Sequence, residues 1–153
     1  MTDSSAWLIG TRMPPSAGSR LMSQVFGSGG INLSFLRVPI GASDFTATGR
    51  PYTYDDIPDG QSDPTLAQFS IRHDLAYVVP TLQQAVTLNP HLELIASPWS
   101  PPAWMKANSR LNNLGHMGAL RPVDYEPLAQ YFVRFIQSYA HYGIRIAGGH
   151  SRE

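Results

Sequence analysis

Apolar positions along this chain fall into two continuous runs and three spaced stripes. Leu33 to Ile40 (LSFLRVPI) and Leu92 to Ala96 (LELIA) are nearly uninterrupted, as strands buried on both faces read. Elsewhere the spacing is helical. Pro14-Pro15, then Leu21, Met22, Val25 and Phe26, then Gly27 predict a short helix with proline at its start and glycine past its end. Ile71, Leu75, Val78, Val79, Leu82 and Val86 form a second stripe, closed by Asn89-Pro90. Pro80 falls inside it, so a kink or a restart is expected there. Leu128, Phe132, Phe135, Ile136 and Tyr139 form the third, with Asp124 as its cap and Gly143 as its end. Ile144 to Ala147 opens a third strand.

The resulting order alternates helix and strand, which predicts an α/β protein with a mostly parallel sheet. Residues 41–69 carry glycines, prolines and aspartates without periodicity, and 97–123 are rich in Pro, Asn and Gly. Stretches that long are functional or mobile. Both follow strands, and in such sheets ligands bind beyond the carboxyl ends of the strands. A site is therefore sought among residues 37–56 and 97–121.

Composition narrows the classes. The 153 residues include 11 Lys+Arg and 11 Asp+Glu, a formal net charge of zero, with no basic run longer than two. That argues against a nucleic-acid binder, which carries a basic face. Charged residues are 14%, below the roughly 25% of soluble domains, while hydrophobic residues at 42% suffice for a core. The surface is thus expected to be poor in charge, or part of its apolar area to meet a partner. Cysteine is absent, which removes disulfides, thiolate metal sites and a cysteine nucleophile. The five histidines (73, 91, 116, 141, 150) form no pair at helix-ligand spacing, so a zinc site is not expected; no other metal and no cofactor is expected either. The N-terminus lacks the basic start and apolar stretch of a signal peptide, and no run nears the ~18 apolar residues of a membrane span. As written the chain reads as soluble and unexported, with its localisation left open. No solenoid-type repeat is present.

Within the two long segments a few residues carry chemistry. Arg37 lies in an apolar strand near its end, where a guanidinium needs a carboxylate or must emerge at the mouth of a site. Asp44, just past that strand, either accepts hydroxyl hydrogen bonds from a sugar or caps a turn. Ser97-Pro98-Trp99-Ser100-Pro101-Pro102-Ala103-Trp104-Met105-Lys106 is stiffened by three prolines and holds two of the three tryptophans. Its indoles either stack on a sugar ring or pack the loop with their N–H groups paired. Gly27-Ser28-Gly29-Gly30 follows a helix and precedes a strand, the reverse of a phosphate cradle. Asn32-Leu33-Ser34 matches a glycosylation sequon but opens a predicted buried strand, which disfavours modification. Neither a GxSxG elbow nor a P-loop occurs.

Phe35-Leu36-Arg37-Val38-Pro39-Ile40-Gly41-Ala42-Ser43-Asp44-Phe45, followed by the Ser97–Lys106 segment, resembles glycoside hydrolase family 30, the glucosylceramidase family. Thr2-Asp3-Ser4-Ser5-Ala6, Tyr52-Thr53-Tyr54-Asp55-Asp56 and Tyr131-Phe132-Val133-Arg134-Phe135 extend the resemblance from about Thr2 to Ile146. It implies a partial (β/α)8 TIM barrel holding about strands two to four with their helices, since a whole barrel takes about 250 residues. Residues 1–147 would be that piece of a glycosidase barrel and 148–153 a non-homologous tail. The resemblance also assigns a substrate subsite to Arg37, Asp44, Phe45, Trp99 and Trp104. Asp44 would bond sugar hydroxyls, Trp99 would hold the ring, Arg37 would support the catalytic carboxylates, and Trp104 would stand behind them.

Retaining glycosidases need an acid/base and a nucleophilic carboxylate about 5 Å apart. In the family the resembling acid/base glutamate sits in an Asn-Glu-Pro motif ending strand four. Here Gly143-Ile144-Arg145-Ile146-Ala147 passes into Gly148-Gly149-His150-Ser151-Arg152-Glu153 without that motif, as a frameshift or truncated frame would. Glu153 lacks its flanking Asn and Pro. The expectation is a glucosylceramidase-like enzyme of carbohydrate and sphingolipid metabolism, acting on a β-glucoside such as glucosylceramide, and inactive as this chain. The alternative is a non-catalytic carbohydrate-binding piece; a nucleotide-binding domain ranks last for want of a glycine-rich turn after a strand. Open strand edges predict aggregation or loose packing. A sharp thermal transition from a monomer in sedimentation would contradict that.

Overall fold

The computed structural model describes residues 1–112 and 118–147. The expected tail 148–153, with Glu153 and His150, and likewise His116, lies outside the described residues. Helix α1 (Asp3–Trp7) opens on a capping box in which the Ser5 amide donates to the Thr2 hydroxyl and the Thr2 amide to the Ser5 hydroxyl. A π turn, Leu8–Arg12, leads to α2 (Pro15–Phe26), with proline in its first turn and Gly27 beyond its end. Strand β1 (Phe35–Ile40), helix α3 (Val78–Leu88), strand β2 (Glu93–Pro98) and helix α4 (Tyr125–His141) follow. β1 and β2 pair in parallel, from Phe35 opposite Glu93 to Ile40 opposite Pro98. This is the α/β, parallel arrangement expected from the alternating pattern.

Helix α3 restarts rather than kinks. A 3-10 turn over Asp74–Ala76 ends at Tyr77, and α3 begins at Val78, which puts Pro80 in the first turn. A missing amide proton costs nothing there, because first-turn amides have no partner within the helix.

Four expectations are corrected. Ile144–Ala147 is not a strand: the Ile144 amide turns back to the Tyr139 carbonyl at 3.0 Å, and among the described residues of this segment Ala147 N–H alone reaches β2, on the Leu94 carbonyl at 2.7 Å. With its first amide spent closing α4, the segment lies against β2 without forming a ladder. β1 is not buried on both faces: the Leu36, Val38 and Ile40 face packs on the core, whereas on the other face Phe35 is 52% exposed and Arg37 is exposed. Asp124 sits at the cap position of α4 without capping it. Its carboxylate accepts from the Arg121 guanidinium at 2.6 Å instead, a charge-assisted bond that outcompetes a neutral amide. The buried face of α4 is Pro127, Tyr131, Phe135 and Tyr139, whereas Ile136 is 42% exposed and Leu128 and Phe132 are half-buried.

The long segment 41–69 is packed and not merely a connection. Tyr54 and Leu66 lie in the core, and the Tyr54 ring stacks on Phe135 at 5.7 Å. Gly41 starts the segment in the left-handed region, φ +76°, where a Cβ would also meet the Tyr52 carbonyl at 2.9 Å. Only glycine fits that corner.

Phe135 is fully buried among Tyr54 and Tyr139, and Ile136 is not. Phe135→Ala is expected to lower unfolding free energy by about 3–5 kcal/mol, and Ile136→Ala by no more than about 1 kcal/mol, measured from urea midpoints. Equal losses would mean that the helix packs on the face its sequence stripe suggests.

Candidate functional site

The carboxyl ends of β1 and β2 carry the residues singled out in the sequence. Arg37 leaves β1 exposed, so its charge is not buried in the strand; its Nε donates to Ser97 Oγ on β2 at 2.6 Å. Among the described residues it makes no ion pair. Asp44 and Phe45 follow β1 at the surface, with Phe45 61% exposed. Trp99 comes directly after β2 and is 40% exposed. Asp44, Phe45 and Trp99 thus follow the carboxyl ends of the two paired strands, with Arg37 at the third position of β1, and each offers accessible surface.

Trp104 differs. It is buried in the short 3-10 turn Ala103–Met105, and its indole N–H donates to Asp55 Oδ2 at 2.9 Å. It packs the loop with its N–H paired. One residue pair on, Lys106 is also buried; its ammonium donates to Ser100 Oγ at 3.1 Å and to the Leu111 carbonyl at 2.9 Å. Burial pulls its pKa below the usual lysine value. These bonds close the proline-rich loop that holds Trp99.

The opposite loop is held by acids that sequence reading missed. Asp3 is buried and accepts from the Ala47 amide at 2.7 Å, from Tyr77 Oη at 2.7 Å, and contacts His73 Nε2 at 2.9 Å. Ser4 N–H also donates to the Phe45 carbonyl at 3.1 Å. The start of α1 therefore pins the segment on which Asp44 and Phe45 sit. Burial alone would raise the Asp3 pKa, but its amide, phenol and imidazole partners together hold it below the usual carboxylate value. Asp74 accepts from three phenols, Tyr52 at 2.8 Å, Tyr54 at 2.6 Å and Tyr139 at 2.5 Å. Here burial wins over the three bonds and raises the pKa. Aspartates in glycine- and proline-rich sequence read as turn formers. The usable signal was the tyrosines at 52, 54, 77 and 139, whose hydroxyls need partners once buried.

Chemically, the strand-end group can bind and orient a polar ring. Asp44 offers acceptors, Trp99 and Phe45 offer apolar faces, and the Arg37 guanidinium is aimed by Ser97. The described glutamates lie elsewhere: Glu93 opens β2 at the other end of the sheet, and Glu126 is on α4. No group of three or more metal-ligating side chains occurs among the described residues, and none of their helices is long and apolar enough to cross a membrane.

The Glycosyl hydrolase family 30 TIM-barrel domain matches residues 1–152. The chain is 36% identical over 148 residues to the lysosomal acid glucosylceramidase of Mus musculus, covering 95% of this chain and 28% of that protein. It is also 36% identical over 138 residues to the endo-1,6-beta-D-glucanase neg1 of Aspergillus fumigatus, covering 82% of this chain and 28% of that one. Among solved structures, SrfJ from Salmonella typhimurium superposes with a TM-score of 0.84 at 31% identity, covering 95% of this chain and 31% of that one. The chain thus spans less than a third of the proteins it matches. Its parallel strands and their helices correspond to part of a (β/α)8 barrel.

Asp55 gives a test of how the Trp104 loop is held. Burial, then the nearby Asp63 and Asp56, push its pKa up to about 6 against the bond from Trp104, and its Oδ1 is buried without a partner. The folded state therefore takes up a proton more readily than the unfolded chain, whose Asp titrates near 4. Stability from this group is greatest below pH 4 and falls as pH rises to 6. Asp55→Asn keeps an acceptor for the indole and removes the charge. It is expected to stabilise at pH 7 by at most about 3 kcal/mol, at about 1.4 kcal/mol for each tenfold change in proton affinity, with the gain gone at pH 4. Thermal unfolding of both proteins at pH 4 and 7 checks this; an equal difference at both pH values would contradict it.

Proposed function

We propose, for a chain that belongs to glycosyl hydrolase family 30, that it supplies the glucose-binding wall of a retaining β-glucosidase. The observation that carries this is the strand-end group: Asp44, Phe45 and Trp99 accessible together at the carboxyl ends of β1 and β2, with Arg37 aimed by Ser97. Ligands of barrel enzymes bind at that end. Asp44 would accept hydrogen bonds from ring hydroxyls, and a carboxylate makes such bonds stronger than a neutral acceptor does. Trp99 would cover the C–H face of the ring, and Arg37 would lend positive charge beside it. Trp104 would hold the Trp99 loop from behind through its bond to Asp55.

Hydrolysis with retention needs two carboxylates about 5 Å apart. The described residues place no glutamate at the strand ends, so the work of this chain is binding and orientation. The resemblance favours a glucosylceramide-type substrate, in keeping with the 36% identity to the mouse glucosylceramidase. A second reading, a β-1,6-glucan, is favoured by the equal identity to the Aspergillus fumigatus glucanase.

The purified 153-residue chain is expected to release no 4-nitrophenol from its β-glucoside above the buffer rate, yet to bind glucose in saturation-transfer NMR. Trp99→Ala and Asp44→Ala should each weaken that binding about tenfold, roughly 1.4 kcal/mol. Turnover by this chain would overturn the division of labour. Glucose binding unchanged in both variants would overturn the assignment of the wall.

A further inference from the structure

His73 meets the buried Asp3 from the solvent side. Its side chain is 36% exposed, against 1% for that of Asp3. The ring nitrogen Nε2 stands 2.9 Å from Asp3 Oδ1 and 2.8 Å from Tyr77 Oη. The residue lines an open groove of about 580 Å³ together with Thr53, Asp56, Ser70 and Arg72. We propose that His73 is a positioning residue of the substrate wall: a proton on its Nδ1 strengthens the grip of Asp3 on Ala47 and so fixes the segment that presents Asp44 and Phe45. The proposal rests on the glucose-binding reading above and adds a pH dependence to that same site.

The hydrogen bonds fix the tautomer of the ring. Burial and the Asp3 carboxylate hold the Tyr77 phenol well above its usual pKa, so it keeps its single proton. That proton lies on Asp3 Oδ1, at 2.7 Å. The contact between Tyr77 Oη and Nε2 must then take its hydrogen from the ring. The contact between Nε2 and Asp3 needs it as well, because a carboxylate oxygen only accepts. Nε2 therefore carries hydrogen in both charge states of the imidazole, and the nitrogen that gains or loses a proton is Nδ1. Protonation there turns a neutral donor into a cationic one while every bond stays in place, and a charge-assisted bond is roughly twice as strong.

Asp3 passes the effect on. Its Oδ1 faces His73 and Tyr77, and its Oδ2 accepts from the Ala47 amide at 2.7 Å, two residues past Phe45. Ser4, next in α1, donates its N–H to the Phe45 carbonyl at 3.1 Å. Farther along the same segment the Tyr52 ring lies against the imidazole, with centroids 3.9 Å apart. The chain that carries Asp44 and Phe45 is thus tied to His73 through Asp3 and again at Tyr52. The charged groups facing the ring are Asp3 on α1, Asp74 in the 3-10 turn, and Asp56 and Arg72 along the groove. Of these, Asp3 is the one in hydrogen-bond contact with the ring, so a charge on the imidazole acts there first.

His73→Gln keeps an N–H donor for Asp3 and cannot change charge between pH 5 and 8. Asp3 stays ionised over that range, since its pKa lies below the usual carboxylate value. In NMR of the unsubstituted 153-residue chain, Nε2 should carry hydrogen throughout, and the Phe45 and Ala47 amide signals should move with the titration midpoint of His73. In His73→Gln both signals should lose that step. The Kd for glucose should be about threefold lower at pH 5 than at pH 8, the effect of a part-exposed ion pair, whereas His73→Gln should keep the pH 8 value at both. Asp55 titrates in the same range but is present in both proteins, so the difference between the two profiles belongs to His73. Hydrogen on Nδ1 alone, or Phe45 and Ala47 signals that ignore the His73 midpoint, overturns the proposal. A full pH step retained in His73→Gln also overturns it, leaving the ring a neutral strut. If near-UV circular dichroism shows that His73→Gln does not fold, the ring and amide titrations of the unsubstituted chain decide. Absence of glucose binding at either pH removes the glucose-binding reading, and the amide signals still decide whether His73 positions the segment.

Discussion

Two buried carboxylates tie the segment after β1 to the rest of the molecule. Asp3 and Asp74 lie inside the molecule, and between them they accept from an amide, an imidazole and four tyrosine hydroxyls, Tyr52 reaching both. A buried carboxylate without such donors would cost several kcal/mol; with them it becomes a fixed point to which distant segments are tied. Asp74 joins the stretch after β1 to α4 through Tyr52, Tyr54 and Tyr139. Asp3 joins the first residues of the chain to Ala47. Asp44 and Phe45 owe their positions at the strand ends to these ties more than to β1 itself, which ends before them.

The acids also act in opposite senses. Asp3 is held below its ordinary pKa, so its contribution is complete at neutral pH and is lost as pH falls through the folded value. Asp55 is held above its own, so it weakens the fold as pH rises toward neutrality. The loop after β1 is therefore firmest toward neutral pH at its Asp3 end and toward acid at its Asp55 end. The segment tied to Asp3 at Ala47 and the loop tied to Asp55 at Trp104 would loosen under opposite conditions. Mildly acidic solution is where both are best held.

Much of this was legible in the sequence. The parallel strands followed from continuous apolar runs, the restart of α3 from Pro80, and the strand-end residues from their position after β1 and β2. Long-range partnerships were not. The stripe on α4 placed Ile136 inside, but the helix instead turns its tyrosines inward, because Tyr131 and Tyr139 have waiting polar partners at Tyr54 N–H and Asp74. Ile144–Ala147 has strand composition, yet its first amide closes the helix before it. Trp104 and Trp99 look alike in the sequence; only the presence of Asp55, some fifty residues away in the chain, makes one a buried strut and leaves the other open. Periodicity reports which face is apolar. It carries no information on which buried hydroxyl will find which acid.

Lys106 is the single lysine of the chain, and it is inside. Every other cation that the chain carries on a side chain is a guanidinium or an imidazole. An amine-directed reagent meeting the closed protein thus finds no lysine to acylate, and a lysine-directed protease finds no bond to cut. Both gain their target at the moment the Ser100 and Leu111 bonds release the ammonium. The proline-rich loop has, in effect, its own chemical seal: modification of that one nitrogen would record each opening of the wall that carries Trp99.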